Sequence, residues 1–214
     1  MTSLPTQPAS SASPVIETFL QHCRRVRYRA KAQIIRRGDP ADELLYVVEG
    51  SVSVTLENEG GREIVLAYLN AGQFFGEIGL FFERNARTAM VRARTHCEVA
   101  HITYARLRSL PSVFPDIVYM LATQIAGRLL DTNRKLGGLA FLDVAGRLAR
   151  ALMDLCKEPD AMTHPEGMQI RVTRQELSRI VGCSREVVGR VLKSMVEQKL
   201  ISVTGKTIVV HGAR

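Results

Sequence analysis

The sequence predicts an α+β protein: an antiparallel, jelly-roll-like β-roll, then one long helix, then a winged helix-turn-helix domain. Three observations carry the prediction. Short β-prone runs punctuated by glycine fill the chain from about Tyr28 to Tyr104. The hydrophobic period then changes to that of a helix from about Asp116 to Gly138. Finally, VTRQELSRIVGCSREVVGRVLKSM (172–195) reads as two short helices joined at a glycine.

Taken in order, residues 1–14, MTSLPTQPASSASP, are small and polar and read as a disordered tail. They lack the basic start and apolar core of a signal peptide. A first domain is expected over 15–115. Its strands are LLYVVEG, SVSVTLE, REIVLAYL, AMVRAR and CEVAHITY, with turns at Gly38, Gly50, Gly60-Gly61 and Gly72. Val52, Val54 and Leu56 alternate with polar residues, as in a sheet with one buried face. The helix at 116–138 spans roughly 35 Å. Along it Val118, Ile125, Thr132 and Leu139 repeat at spacing seven, as do Ala122, Leu129 and Leu136. Such a double series is a coiled-coil seam and suits a homodimer, although a helix packed on its own sheet would give the same stripe. Thr132 interrupts the seam, and Asn133 beside it is also polar. A buried polar group there needs a partner: its own helix backbone, the twin helix or a ligand. Residues 139–143 form a hinge, preceded by Gly137 and Gly138, which weaken the helix end. The second domain occupies 144–214.

Within that domain, Thr173 and Glu176 fit a capping box at the start of the first short helix. Leu177, Ile180 and Val181 give that helix its buried stripe. Gly182 suits a tight inter-helix turn, and Ser184 is a good N-cap for the next helix. On a wheel advancing about 100° per residue, Val187, Val188, Val191 and Leu192 share one arc. Arg185, Glu186, Gly189, Arg190 and Lys193 share the other. A helix lying in a DNA major groove needs that division: Arg grips guanine O6 and N7, Glu accepts from the cytosine amino group, and glycine lets the backbone approach. An amphipathic surface helix would look similar in isolation; the capped first helix and the turn glycine favour the DNA reader. Leu200–Val203 and Thr207–Val210 flank Thr204-Gly205-Lys206 as a hairpin wing, with Lys206 placed to meet a phosphate. The GKT at its tip is not a nucleotide-binding loop, because Leu200 stands where that loop needs glycine.

Composition agrees with a polyanionic partner. The 214 residues carry a formal charge of +8. From Leu139 onward there are 12 Lys and Arg against 8 Asp and Glu, a net +4 in about a third of the chain. Cys23, Cys97, Cys156 and Cys183 are far apart, as in a reduced cytoplasmic protein without an iron–sulfur centre. The five histidines lack metal-ligand spacing, so no metal site is expected. No apolar run approaches membrane-spanning length, so no membrane partner is expected. No nucleophile–base set or carboxylate pair appears, which argues against an enzyme.

FFGEIGLFFERNARTAMVRAR (74–94) holds a second constellation. Gly76, Glu77 and Gly79 bracket a tight turn, followed by a short helix expected at Leu80–Glu83. Backbone N–H groups at a glycine turn, with Arg87 and the Thr88 hydroxyl, suit a small anion. Glu77 suits sugar hydroxyls. A structural Glu77–Arg87 salt bridge would use the same residues.

GEIGLF with ART ten residues on, KLGGLAFLDV, DAMTHPEGMQI, TRQELSRIVGCSREVVGR and the terminal GKTIVV resemble the bacterial CRP/FNR regulators, specifically the cAMP receptor branch. The resemblance runs from about His22 to the C-terminus. It implies a cyclic-nucleotide-binding roll in which Glu77 meets the ribose 2′-hydroxyl of cAMP, while Gly76, Arg87 and Thr88 hold the cyclic phosphate. Arg128 would tie the long helix to that pocket. Thr132 of the same subunit and Asn133 of its twin would meet the adenine; Asn133 stands where the family usually carries Ser or Thr. It also implies a homodimer on palindromic double-stranded DNA, with Arg185, Glu186 and Arg190 as base readers. Arg174, Gln175, Ser184 and Lys206 would contact phosphates. The loop Ala161–Gly167 would meet RNA polymerase, and a second polymerase surface would map near Arg24, Val26 and Arg106. A regulator of the same fold answering to cyclic di-GMP or cGMP, or to no effector, would share most of these residues.

Overall fold

The computed structural model describes residues 14–82 and 86–213. The tail expected at 1–14 therefore lies outside the described residues, apart from Pro14. The elements are α1 (Pro14–Gln21), β1 (Arg24–Tyr28), β2 (Gln33–Ile35), β3 (Glu43–Glu49), β4 (Ser51–Glu57), β5 (Glu63–Asn70), β6 (Phe74–Phe75), α2 (Ile78–Phe81), β7 (Met90–Ala93) and β8 (Cys97–Thr103). There follow α3 (Tyr104–Arg108), α4 (Phe114–Phe141), α5 (Val144–Leu155), β9 (Met162–His164), β10 (Gly167–Arg171), α6 (Arg174–Val181), α7 (Arg185–Glu197), β11 (Ile201–Thr204) and β12 (Thr207–His211). The chain packs as two units. One takes the chain up to Val54 together with Ala67–Arg128; the other takes Thr55–Leu66 and the chain from Leu129 onward.

Up to Thr103, strands run in the orders β1-β8-β3-β6 and β2-β7-β4-β5. β3 explains the layering. Its LLYVV run is buried on both faces, as a continuous apolar strand should be. Leu45 and Val47 join Val52, Leu69, Phe75, Val91 and Val99 in a core between the sheets. Leu44 and Tyr46 point the other way, into a core closed by α1, α3 and the first turns of α4. Phe19, Tyr46 and Phe74 meet there, with ring centroids 4.7–6.0 Å apart. Along β4 the expected alternation fails at its end: Thr55 is buried and Leu56 only partly so.

β1, which the sequence did not reveal, positions functional groups. Its sequence is RRVRY, and the charges hide its pairing with β8. Arg25 and Arg27 are matched by Glu98 at 3.3 and 3.0 Å. Tyr28 turns inward to His101 at 3.2 Å. The ring of His101 is only 6% exposed, and its Nδ1 lies 3.0 Å from the Glu43 carboxylate. Burial pushes the His101 imidazole below its ordinary range, although Glu43 pulls the other way.

Helix α4 extends past the expected 116–138 at both ends, so Gly137 and Gly138 lie inside it. Only Leu142 and Asp143 separate it from α5, whose N-cap is Asp143, accepting from the Gly146 amide at 2.8 Å. α4 buries Ile117 and Leu121 in the first unit's core. Its seam residues Ala122, Ile125, Leu129, Thr132, Leu136 and Leu139 are all exposed in the single chain, and Val118 is half-buried.

In the second unit, α5, α6 and α7 pack beside a four-stranded sheet ordered β11-β12-β10-β9. Arg147 ties α5 to α6, donating from Nε to Val181 O at 3.4 Å. Met162–His164 and Gly167–Gln169 pair as a hairpin, which corrects the expected loop at Ala161–Gly167. Proline at 165 and the short strands concealed it. β9 and β10 were not anticipated.

Candidate functional site

Two sites emerge, one in each unit. In the first, Gly76 adopts φ +76°, a left-handed conformation that glycine reaches without strain. A Cβ on it would lie 2.6 Å from Arg87 Nη1, so only glycine lets the guanidinium come this close. Arg87 donates from Nη1 to Gly76 O at 3.1 Å and from Nη2 to Glu43 O at 2.9 Å. Its Nη1 also reaches the Tyr104 hydroxyl at 3.4 Å, and that hydroxyl donates to Gly76 O. Burial pushes the Tyr104 phenol above its ordinary range, so it keeps its proton at neutral pH. Thr88 is half-buried next to Arg87. The short helix begins at Ile78, two residues before the expected start.

The expected alternative of a Glu77–Arg87 salt bridge does not form. Glu77 pairs with Arg128 of α4 at 3.0 Å, both side chains being mostly buried. Arg128 also donates to Phe74 O. One turn earlier on α4, Gln124 accepts from the Phe74 amide at 2.9 Å and donates to Gly72 O at 3.0 Å. The structure therefore brings Gly76, Glu77, Arg87 and Arg128 to one place. Thr132 and Asn133 lie further along α4, exposed, in the second unit. Tyr104, Gln124 and the Glu43 carbonyl were missed: each acts from far away in sequence, and a carbonyl leaves no residue-type signal.

The second site is the exposed face of α6 and α7. Thr173 caps α6 by accepting from the Glu176 amide at 3.1 Å, and Ser184 caps α7 by accepting from the Val187 amide at 3.3 Å. Gly182 between them adopts φ +73°. Val188 and Leu192 are buried, while Arg185, Glu186 and Arg190 are exposed, as the wheel requires. Arg174, Arg185, Glu186, Gly189, Arg190 and Lys193 line one shallow depression, four cations around one carboxylate. Hydrogen bonds from its own amide and from Ser184 hold the Glu186 carboxyl below its usual range, so it is an acceptor at neutral pH. Gln175 is exposed on the first turn of α6. Lys206 sits at the tip of the β11–β12 hairpin, where Thr204 pairs with Thr207.

A glycine turn with two mostly buried arginines in a β-roll, followed in the chain by a winged helix-turn-helix, defines a class of protein: a ligand-binding roll with a DNA-binding domain. Residues 25–112 match the cyclic nucleotide-binding domain and residues 146–213 the Crp-like helix-turn-helix domain. The chain is 55% identical to the cAMP-activated global transcriptional regulator Vfr of Pseudomonas aeruginosa, covering 93% of this chain and 94% of that one. It is 51% identical to the cAMP-activated global transcriptional regulator CRP of Haemophilus influenzae, covering 97% and 93% respectively. Among solved structures, the c-di-GMP responsive global regulator CLP of Xanthomonas campestris superposes with a TM-score of 0.87 at 51% identity, covering 92% of this chain and 98% of that one. The chain belongs to the CRP/FNR family of transcriptional regulators.

Proposed function

We propose that this regulator is a cAMP-responsive homodimer that binds palindromic operators in the cytoplasm and contacts RNA polymerase. The carrying observation is the socket around Arg87: a guanidinium held by Gly76, Glu43 and Tyr104, beside a glycine turn and a Glu77 steadied by Arg128. Nη1 and Nη2 donate to these partners, which leaves Nε–H and the second N–H of Nη2 for phosphate oxygens. Gly76, Arg87 and Thr88 take the cyclic phosphate and Glu77 the ribose. Thr132 and the twin's Asn133 take the adenine.

On DNA, Arg185, Glu186 and Arg190 read base edges in the major groove, and Arg174, Gln175, Ser184 and Lys206 hold phosphates. The exposed seam of α4 joins the protomers, and two reading heads match half-sites one helical turn of DNA apart. The nucleotide acts by binding more tightly to the DNA-competent arrangement, with residues 139–143 as the hinge. The 161–167 hairpin is the surface offered to RNA polymerase.

A second reading, in which cyclic di-GMP is the effector, draws support from the likeness to the Xanthomonas regulator. Titrating operator binding against cAMP, cGMP and cyclic di-GMP separates them. The proposal expects cAMP alone to raise operator affinity; a response to cyclic di-GMP alone selects the second reading, and equal affinity without nucleotide rejects both.

A further inference from the structure

Tyr104 is absent from the sequence-based site, yet it is the residue on which the socket's polar groups converge. It opens α3, capped by Thr103, and its amide donates to Asp42 O at 2.8 Å, so its backbone is fixed. The side chain is 7% exposed. The hydroxyl is used in both senses, accepting from Arg87 and donating to Gly76 O. A Cβ on Gly79 would lie 2.9 Å from this hydroxyl and from Ala41 O. The two glycines of the GEIG turn therefore make room for two specific groups: Gly76 for Arg87, Gly79 for Tyr104.

The hydroxyl and the Gly76 carbonyl, bonded to each other, both meet Arg87 Nη1, and together with the Glu43 carbonyl on Nη2 they limit the rotation of the guanidinium. From this geometry we infer that Tyr104 is a positioning residue for the anion, fixing the angle of the Arg87 fork. The inference rests on the cyclic-nucleotide reading of the socket. It concerns stereochemistry, because the two exocyclic oxygens of a cyclic phosphodiester are inequivalent. Two N–H donors of one fork held at a fixed angle distinguish them, and loosened ones do not.

The test is Tyr104→Phe in the full-length protein, which keeps the buried ring and removes one oxygen. Isothermal titration with cAMP and with its Sp and Rp phosphorothioates gives three affinities for each protein, and thermal melting without ligand checks the fold. Loss of a hydrogen bond to a charged group predicts about tenfold weaker cAMP binding. It also predicts that the ratio of Sp to Rp affinities moves toward unity by roughly threefold or more, since each donor contributes about half of that loss. Equal weakening of all three ligands, or no weakening, overturns the role of Tyr104 while leaving the pocket assignment intact. A wild-type protein that binds none of the three overturns the pocket assignment and the role of Tyr104 with it. Should Tyr104→Phe melt early, the titrations are run well below its midpoint, where the protein is folded, and an unchanged Sp/Rp ratio there also overturns the role.

Discussion

The seam on α4 gives a prediction whose size follows from exposure. Leu129 and Leu136 are 59% and 64% exposed in the single chain, although both belong to the apolar heptad series. Full burial of a leucine side chain contributes about 1.5–3 kcal/mol, so burying the exposed part contributes roughly 1–2 kcal/mol. A two-fold dimer buries each residue twice. Leu129→Ala with Leu136→Ala therefore removes about 4–7 kcal/mol, which raises the dimer dissociation constant by about three to five powers of ten. Alanine preserves helix propensity, so α4 itself should persist. Sedimentation equilibrium measures the dissociation constant, and circular dichroism verifies the helix. Operator affinity should fall toward that of a single half-site. An unchanged dissociation constant, or a wild-type chain that is monomeric at micromolar concentration, refutes the seam.

Three further outcomes are expected. Arg87→Leu removes two charge-assisted donors from the phosphate, at about 1.5–3 kcal/mol each, so cAMP affinity should drop at least about a hundredfold. Weak, salt-sensitive DNA binding should survive in that variant; unchanged affinity by titration calorimetry contradicts the pocket. Glu186→Ala should cost about 1–3 kcal/mol at one base pair of the preferred operator, and a uniform loss across all single-base operator variants contradicts direct readout. His101 titrates below its ordinary range in the folded protein because burial opposes its charge. The unfolded chain, with an ordinary pKa of about 6.5, binds the proton first as pH falls. The stability contributed by neutral His101 is therefore complete above about pH 6.5 and is lost as pH drops through the depressed value. Urea midpoints from pH 8 to pH 5 should fall less steeply in His101→Gln than in the wild type, and parallel slopes exclude the effect.

Much of this was legible because the signals are local. Thr173, Gly182 and Ser184 announce helix ends by chemistry that acts over three residues, and the structure has each cap in place. The α7 face was legible because a 3.6-residue period separates Val188 and Leu192 from Arg185 and Arg190 in any context. What stayed hidden depends on distant partners. β1 reads as a charged stretch until Glu98 is seen beside Arg25 and Arg27. Arg87 was identified by residue type, but its anchors come from 43, 76 and 104, two of them through backbone carbonyls. Arg87 and Arg128 are both candidate partners for Glu77, and spacing along the chain favours the wrong one.

The position of Arg128 suggests why a nucleotide in the roll should matter to the seam at all. Setting Arg128 at zero on a wheel of about 100° per residue puts Leu139, Thr132, Ile125, Leu136, Leu129 and Ala122 at roughly 20° to 120°. Asn133 falls at roughly 140°. The proposed ligand contacts Arg128 and Asn133 thus flank the seam stripe on its two sides, with Thr132 inside it. Arg128 is held to Glu77 of its own roll. Under the proposed assignment, Asn133 meets the ligand held by the other roll. With both pockets filled, each α4 is held on one flank by its own ligand and on the other by its twin's, which resists rotation about its axis, and that rotation is the coordinate that sets how two seams mesh. Contact on one flank alone would leave the helix free to turn. An effector that fills the socket but reaches only one flank should therefore bind without raising operator affinity, because it lacks differential affinity for the meshed state.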